Sequence, residues 1–180
     1  MSGSRNLSGQ KLHNYQLMSM LGKGGMGEVY EGYEESLDRT VAIKILPSHF
    51  ADDEDFIARF IREAKSAAKL EHPGICPIYA AGEEDGAYFL AMQYVNGSTV
   101  SDILKQTGPL PVHQAFIVTL HAASALAFAH SKGFIHRDIK PDNIMIDSEG
   151  RVKIMDFGLA KRTDLKRDGI TQTGDYIGTP

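Results

Sequence analysis

The chain has 180 residues, 42% hydrophobic and 23% charged, with a formal net charge of -4; this is the balance of an ordinary globular protein of one domain or two small lobes, and it excludes collagenous and disordered classes. Without a basic excess there is no global field to hold nucleic acid, so any polyanion must be bound locally by a few placed groups. The single cysteine, Cys76, excludes an internal disulfide, and the polar opening MSGSRNLSGQ lacks the apolar core of a signal peptide, so the expected setting is cytoplasmic, with no membrane segment in this chain and an anchor beyond residue 180 left open.

Residues 1–12 read as a disordered tail. The stretches Tyr15 to Leu21 and Gly27 to Glu34, separated by a glycine-bearing turn, read as strands, followed by a third from Arg39 to Leu46. The run DDEDFIARFIREAKSAAKLEH gathers acidic residues at its start, where they complement the helix dipole, and predicts a helix from Asp53 to Leu70. Its stripe is read as Phe56, Phe60, Glu63 and Ala67, which places a carboxylate on the apolar face, where it needs a partner. Two more strands, Ile75 to Glu83 and Ala87 to Tyr94, complete an antiparallel sheet, and residues 13–95 form one lobe.

After VNGS, read as a hinge-like turn, residues 96–180 turn helical. A short helix is expected from Thr99 to Gln106 and a long one from Pro111 to Lys132, with Pro111 in the first turn and Gly133 at the stop. Two apolar runs, Ile144 to Ile146 and Val152 to Met155, joined by DSEG, predict a hairpin with polar clusters at both ends.

Three constellations carry chemistry. In LGKGGMGEVY, Gly22, Gly24 and Gly27 form G-x-G-x-x-G, which lets backbone approach a polyphosphate. The alternating EVYEGYEES that follows is a strand, whereas a dinucleotide site would open a helix there, so the glycines lie in a hairpin that covers phosphates from above. In TVAIK, Lys44 ends an apolar strand; either it snorkels to solvent or it is satisfied by the inward Glu63, with protons left for phosphate oxygens. In HRDIKPDN and the DFG that follows the hairpin, Asp138, Lys140, Asn143 and Asp156 concentrate two carboxylates, an amide and an ammonium. Asn143 and Asp156 suit a hard, hydrated cation such as magnesium, Asp138 suits a general base, and Lys140 offsets charge on a transferred group.

Taken together, GKGGMGEV, VAIK, Glu63, HRDIKPDN and DFG resemble the signature set of the eukaryotic-like protein kinases, in the family's order, from Tyr15 onward. Lys140 in HRDIKPDN is similar to the serine/threonine branch, and the GGMG loop looks like the bacterial members. The implied fold is α+β and protein-kinase-like: an antiparallel sheet lobe with one long helix, then the beginning of a mainly helical lobe. The implied activity is ATP-dependent phosphoryl transfer to serine or threonine hydroxyls of proteins. In that scheme the loop Gly22, Lys23, Gly24, Gly25, Met26 and Gly27 covers the phosphates of ATP, and Lys44 paired with Glu63 holds the α and β phosphates. Asp138 is the base, Lys140 steadies the γ-phosphate, and Asn143 and Asp156 hold Mg2+. Leu21, Val29, Ala42, Met92, Val95, Met145 and Met155 line the adenine pocket, and Gln93 and Val95 meet the base through the hinge backbone. Gln93 departs from the glutamate common in the family. Protein substrates, and a homodimer for trans-autophosphorylation, are the partners implied.

Two other readings stay open: a small-molecule kinase of the aminoglycoside type, which shares H-x-D-x-x-x-x-N, and a nucleotide-binding scaffold without activity. The sequence has no Ala-Pro-Glu motif and no helical block after DFG. It is therefore expected to be cut within the activation segment, to leave an apolar patch on the helix from Pro111 to Lys132, and to be poorly soluble or weakly active alone. The closing TQTGDYIGTP resembles the distal activation loop, with Thr171 and Thr173 as phosphorylation sites, Thr179 facing substrate, and Arg137 as partner of a phosphate there.

Overall fold

The structure is a computed structural model that describes residues 6–25, 27–51 and 53–157. It divides into two compact units, the first comprising residues up to Lys69 together with Pro77–Val95, the second Leu70–Cys76 together with the residues from Asn96 onward.

The first unit is a six-stranded antiparallel sheet of β1 (Lys11–Leu12), β2 (Tyr15–Gly24), β3 (Gly27–Glu34), β4 (Arg39–Ile45), β5 (Ile78–Glu84) and β6 (Ala87–Gln93), in the order β1-β2-β3-β4-β6-β5. Its core holds Tyr15, Leu17, Tyr30, Val41, Ile43 and Phe89, all nearly solvent-free. The expected strands are all present. Residues 6–12, expected to be disordered, instead lie along the sheet: Leu7 packs on the core, and Gly9 and Gln10 exchange backbone hydrogen bonds with Leu17. Leu7 and Leu12 are too widely spaced among polar residues to show a period, and only the sheet gives them an apolar surface to cover.

Helix α1 (Glu54–Ala67) is capped by Asp53, whose carboxylate accepts from the Phe56 amide at 2.9 Å. Its buried seam is Ile57, Phe60, Ala64 and Ala67. The stripe expected from the sequence is therefore rotated: Glu63 is half-buried beside the seam, and Phe56 instead stacks on Phe50 at 4.4 Å. The 57-60-64-67 series follows the helical period as well as 56-60-63-67 does, and burying it spares the carboxylate its desolvation.

The second unit begins with Leu70–Cys76. Part of the strand expected from Ile75 lies here and pairs with a different partner: Ile75 bridges Ile154 in parallel, Cys76 N–H donates to the Ile154 carbonyl at 2.9 Å, and Ile154 N–H donates to Gly74 at 2.8 Å. A three-stranded sheet combines β7 (Gly97–Thr99), β8 (Ile144–Asp147) and β9 (Val152–Ile154) in that order. The turn read at VNGS thus contains a strand, and Gly97 passes so close to β8 that a Cβ there would stand 2.1 Å from the Ile146 carbonyl oxygen. Helix α2 (Val100–Thr107) is capped by Thr99, which accepts from Asp102 N–H at 3.0 Å.

Helix α3 (Val112–Ser131) buries Ala122, Ala125 and Ala129 and packs on β9; Gly133, with φ 80°, ends it. Val112, Phe116, Ile117 and Leu120 stay exposed, Val112 at 87% and Phe116 at 67%, as the sequence leads one to expect of this helix. By length and composition α3 could cross a bilayer, although its alanine face is spent on β9 and polar His113, Gln114, Thr119 and His121 interrupt it.

Phe60 is 2% exposed at the centre of the α1 seam. Phe60→Ala is expected to cost the first unit about 3–5 kcal/mol, from lost transfer energy and a residual cavity. Urea unfolding of both chains checks it.

Candidate active site

In the first unit β2 and β3 form the glycine hairpin, closed by the pair Gly24↔Gly27, with register shifts between Leu17 and Gly22 that bend β2. Leu21, Gly22, Lys23, Gly24 and Gly25 are exposed. Gly22, Gly24 and Gly25 have open space where a side chain would stand, so their value is access to the backbone. Gly27 is different: it is buried, has φ 118°, and an added Cβ would lie 1.9 Å from the Ile45 carbonyl oxygen. It lets β3 lie against the end of β4. Met26 is outside the described residues.

On β4, Ala42 and Lys44 share a face, both 5% exposed, and Lys44 stands opposite Val29 on β3 and Leu90 on β6. Lys44 therefore does not snorkel to solvent. Among the described residues the ion pairs of this unit join Lys11 to Glu35, Lys23 to Glu28 and Arg39 to Glu34, and none joins Lys44 to Glu63. The rotated seam of α1 explains this, since it sets Glu63 at the border of the buried face. Met92 and Val95 are buried, and Gln93 ends β6 with its N–H donating to the Pro77 carbonyl at 3.0 Å.

The second unit collects the polar cluster. Asn143 is 9% exposed and donates from Nδ2 to the Asp138 carbonyl at 2.7 Å and to Asp138 Oδ2 at 3.2 Å. Lys140 Nζ lies 3.1 Å from the same Oδ2. The Asn143 amide donates to the Lys140 carbonyl and its carbonyl accepts from Met155 N–H, both at 2.9 Å, which joins the loop to the residue before Asp156. The β8–β9 hairpin beneath is closed by Asp147, whose carboxylate accepts from the Glu149 and Arg151 amides at 2.9 Å and from Arg151 Nε at 2.7 Å. Four of the expected residues, Asp138, Lys140, Asn143 and Asp156, are thereby gathered at one end of that hairpin. Met145 and Met155 lie half-buried on and beside it, and Arg137 is exposed. Thr171, Thr173 and Thr179 are outside the described residues.

With Nδ2 committed to Asp138, the acceptor Oδ1 of Asn143 is directed elsewhere. That oxygen and the Asp156 carboxylate are hard donors of the kind that fits magnesium, which takes one or two protein oxygens and keeps its waters. Among the described residues no group of three or more His, Cys, Asp or Glu suits a transition metal.

Neither His136 nor Phe157 has a role that sequence reasoning finds. His136 is 2% exposed and stands edge-on to the buried Phe157 at 4.7 Å. Its Nδ1 accepts from the Asp138 amide at 3.3 Å, so the proton sits on Nε2, which donates to the Met155 carbonyl at 2.7 Å. The neutral ring thus spans from Asp138 to Met155. The only signal available was a histidine two residues before Asp138, and nothing local says that it is buried. Arg137 and Asp156 flank this arrangement with φ of 68° and 56°, left-handed backbone that is uncommon for residues other than glycine.

Burial lowers the His136 pKa below its ordinary 6.5, against the Met155 hydrogen bond and the charges of Asp156 and Asp138. As pH falls below that ordinary value the unfolded chain takes up a proton that the folded ring refuses, so stability is lost in that direction and is fully present above it. The second unit is expected to melt lower as pH drops from about 7 to 5, and His136→Gln, which does not titrate, to flatten that slope. Thermal melts of both chains across that range check it.

A description headed "Protein kinase domain" matches residues 15–180. The chain is 46% identical over 165 residues to serine/threonine-protein kinase PrkC of Bacillus subtilis, covering 92% of this chain and 25% of that protein. It is 42% identical over 170 residues to serine/threonine-protein kinase PknA of Mycobacterium tuberculosis, covering 92% of this chain and 39% of that protein. The chain thus spans well under half the length of these relatives. The crystal structure of the Mycobacterium tuberculosis PknI kinase domain superimposes with a TM-score of 0.77 at 35% identity, over 86% of this chain and 62% of that one. With a glycine hairpin, a buried strand lysine and the Asp138–Lys140–Asn143 cluster in the order of that family, the chain belongs to the protein kinase domain family.

Proposed function

We propose that this chain carries the nucleotide-binding and catalytic core of a serine/threonine protein kinase, transferring the γ-phosphoryl group of ATP to hydroxyls of proteins. The observation that carries the reading is the bonding of Asp138, Lys140 and Asn143 to one another within 3.2 Å. Two donors on Oδ2 hold the Asp138 carboxylate in one orientation, as a base must be held to receive a hydroxyl proton. The hydroxyl oxygen then bonds to the γ-phosphorus, the bond to the β–γ bridging oxygen breaks, the proton passes to Asp138, and ADP departs.

Lys140, one third exposed beside Asp138, keeps ammonium protons for a γ-phosphate oxygen. Lys44 holds the α and β phosphates, with Glu63 as its partner in the nucleotide-bound state. Asn143 and Asp156 hold magnesium, which when bound offsets phosphate charge and orients the oxygens. Leu21, Val29, Ala42, Val95 and Met145 enclose the adenine, and the backbone at Gln93 and Val95 meets its edge. Arg137 binds a phosphate on Thr171 or Thr173.

A second reading, nucleotide binding without transfer, is favoured by two observations. Glu63 forms no ion pair with Lys44, and α3 leaves Val112, Phe116 and Leu120 exposed within the unit that carries the base.

Asp138→Asn is expected to lower transfer of labelled phosphate to serine/threonine peptides by about a hundredfold to ten-thousandfold while ATP binding persists. Binding without transfer by the unaltered chain selects the second reading. Transfer to an aminoglycoside and not to peptide overturns the protein-kinase assignment.

A further inference from the structure

Along the first unit a chain of hydrogen bonds leads from the N-terminal segment to the glycine hairpin. Leu7 N–H donates to Tyr30 Oη at 3.2 Å, Tyr30 O–H donates to Glu28 Oε2 at 2.7 Å, and Glu28 Oε1 lies 3.0 Å from Lys23 Nζ. Every member has a reason to stay in place. Leu7 is packed on the core cluster that contains Tyr30, whose ring is fully buried, and residues 9 and 10 are hydrogen-bonded to Leu17. The Glu28 side chain is only 14% exposed, whereas that of Lys23 is 55% exposed. The buried tyrosine hydroxyl is thus the junction between a fixed segment and a carboxylate at the mouth of the loop.

Lys23 and Glu28 face one another in the ladder, one pair inside the closing pair Gly24↔Gly27. Glu28 and Tyr30 point to the same side of β3, and Val29, assigned to the adenine, points to the other. The chain therefore acts on the hairpin from the face away from that assignment. Gly22, Gly24 and Gly25 carry no side chains that would pack and hold the loop, so restraint by its base and by this bridge weighs more.

We infer that residues 7–12 act as a strap and that Tyr30 and Glu28 are positioning residues, holding the glycine hairpin at one angle through the bridge to Lys23. The inference rests on the nucleotide reading only for its consequence, since the restraint of the loop is a property of the first unit by itself. The bonds are few and one is charge-assisted, so loss of a link is expected to loosen the loop by a factor of about three to ten.

The test uses the whole chain with Tyr30→Phe, Glu28→Ala and both together. Two quantities are measured: amide hydrogen exchange at residues 21–29, and affinity for magnesium and mant-ATP. Expected are faster exchange confined to the loop in each single variant, weaker mant-ATP binding by about three- to tenfold, and a double variant no worse than Glu28→Ala, because both cut the same chain. Phe60→Ala serves as the control, a destabilised first unit with the chain intact. Loop exchange unchanged in Tyr30→Phe, or raised no more than in Phe60→Ala, overturns the proposal, as do additive effects in the double variant. If the unaltered chain binds no mant-ATP, the nucleotide reading fails, and the exchange measurement still decides the strap.

Discussion

Asn143 is the residue on which the geometry of the second unit turns. Its side-chain amide holds both the backbone and the carboxylate of Asp138, its own amide bonds Lys140, and its carbonyl receives Met155. Being nearly buried, it does not exchange these partners for water without leaving polar groups unsatisfied. A short loop with many charges would otherwise sample many arrangements. Here one amide reduces them to one.

Around that centre the structure spends local strain to gain placement. Arg137 and Asp156 take left-handed backbone, and the neutral His136 bridges the two segments that contain them. A charged imidazole could not accept from the Asp138 amide, and burial, which lowers the basicity of the ring against the Met155 hydrogen bond, favours the neutral form that makes the bridge. Phe157 closes the stack edge-on. These contacts join the DFG segment to the loop that holds Asp138 within one unit, although His136 and Met155 are 19 positions apart in the chain.

The first unit solves a different problem, how to present bare backbone without losing order. Three exposed glycines leave room for a ligand, and the fourth, Gly27, secures β3 to the end of β4 by an approach that no side chain permits. A glycine-rich tip has little to restrain it, so restraint must come from the neighbouring strand and from the Tyr30–Glu28–Lys23 links. Within this unit α1 sets its apolar seam toward the sheet and leaves Glu63 at the seam's edge, so the pairing with Lys44 is not made by helix periodicity.

By itself the sequence determined the main strands and helices and the family, because alternation, capping residues and the order of GKGGMG, VAIK, HRDIKPDN and DFG are local properties of the chain. Asp53 caps α1 and Gly133 ends α3 for reasons visible within a few residues. Tertiary structure alone decided what depends on distant partners. Ile75 left its expected strand for Ile154, residues 6–12 found order on the sheet, and α1 chose between two apolar faces of equal period. His136 became a buried bridge for the same reason. Burial and register are set by what lies across the fold, and a one-dimensional pattern does not name the residue on the other side.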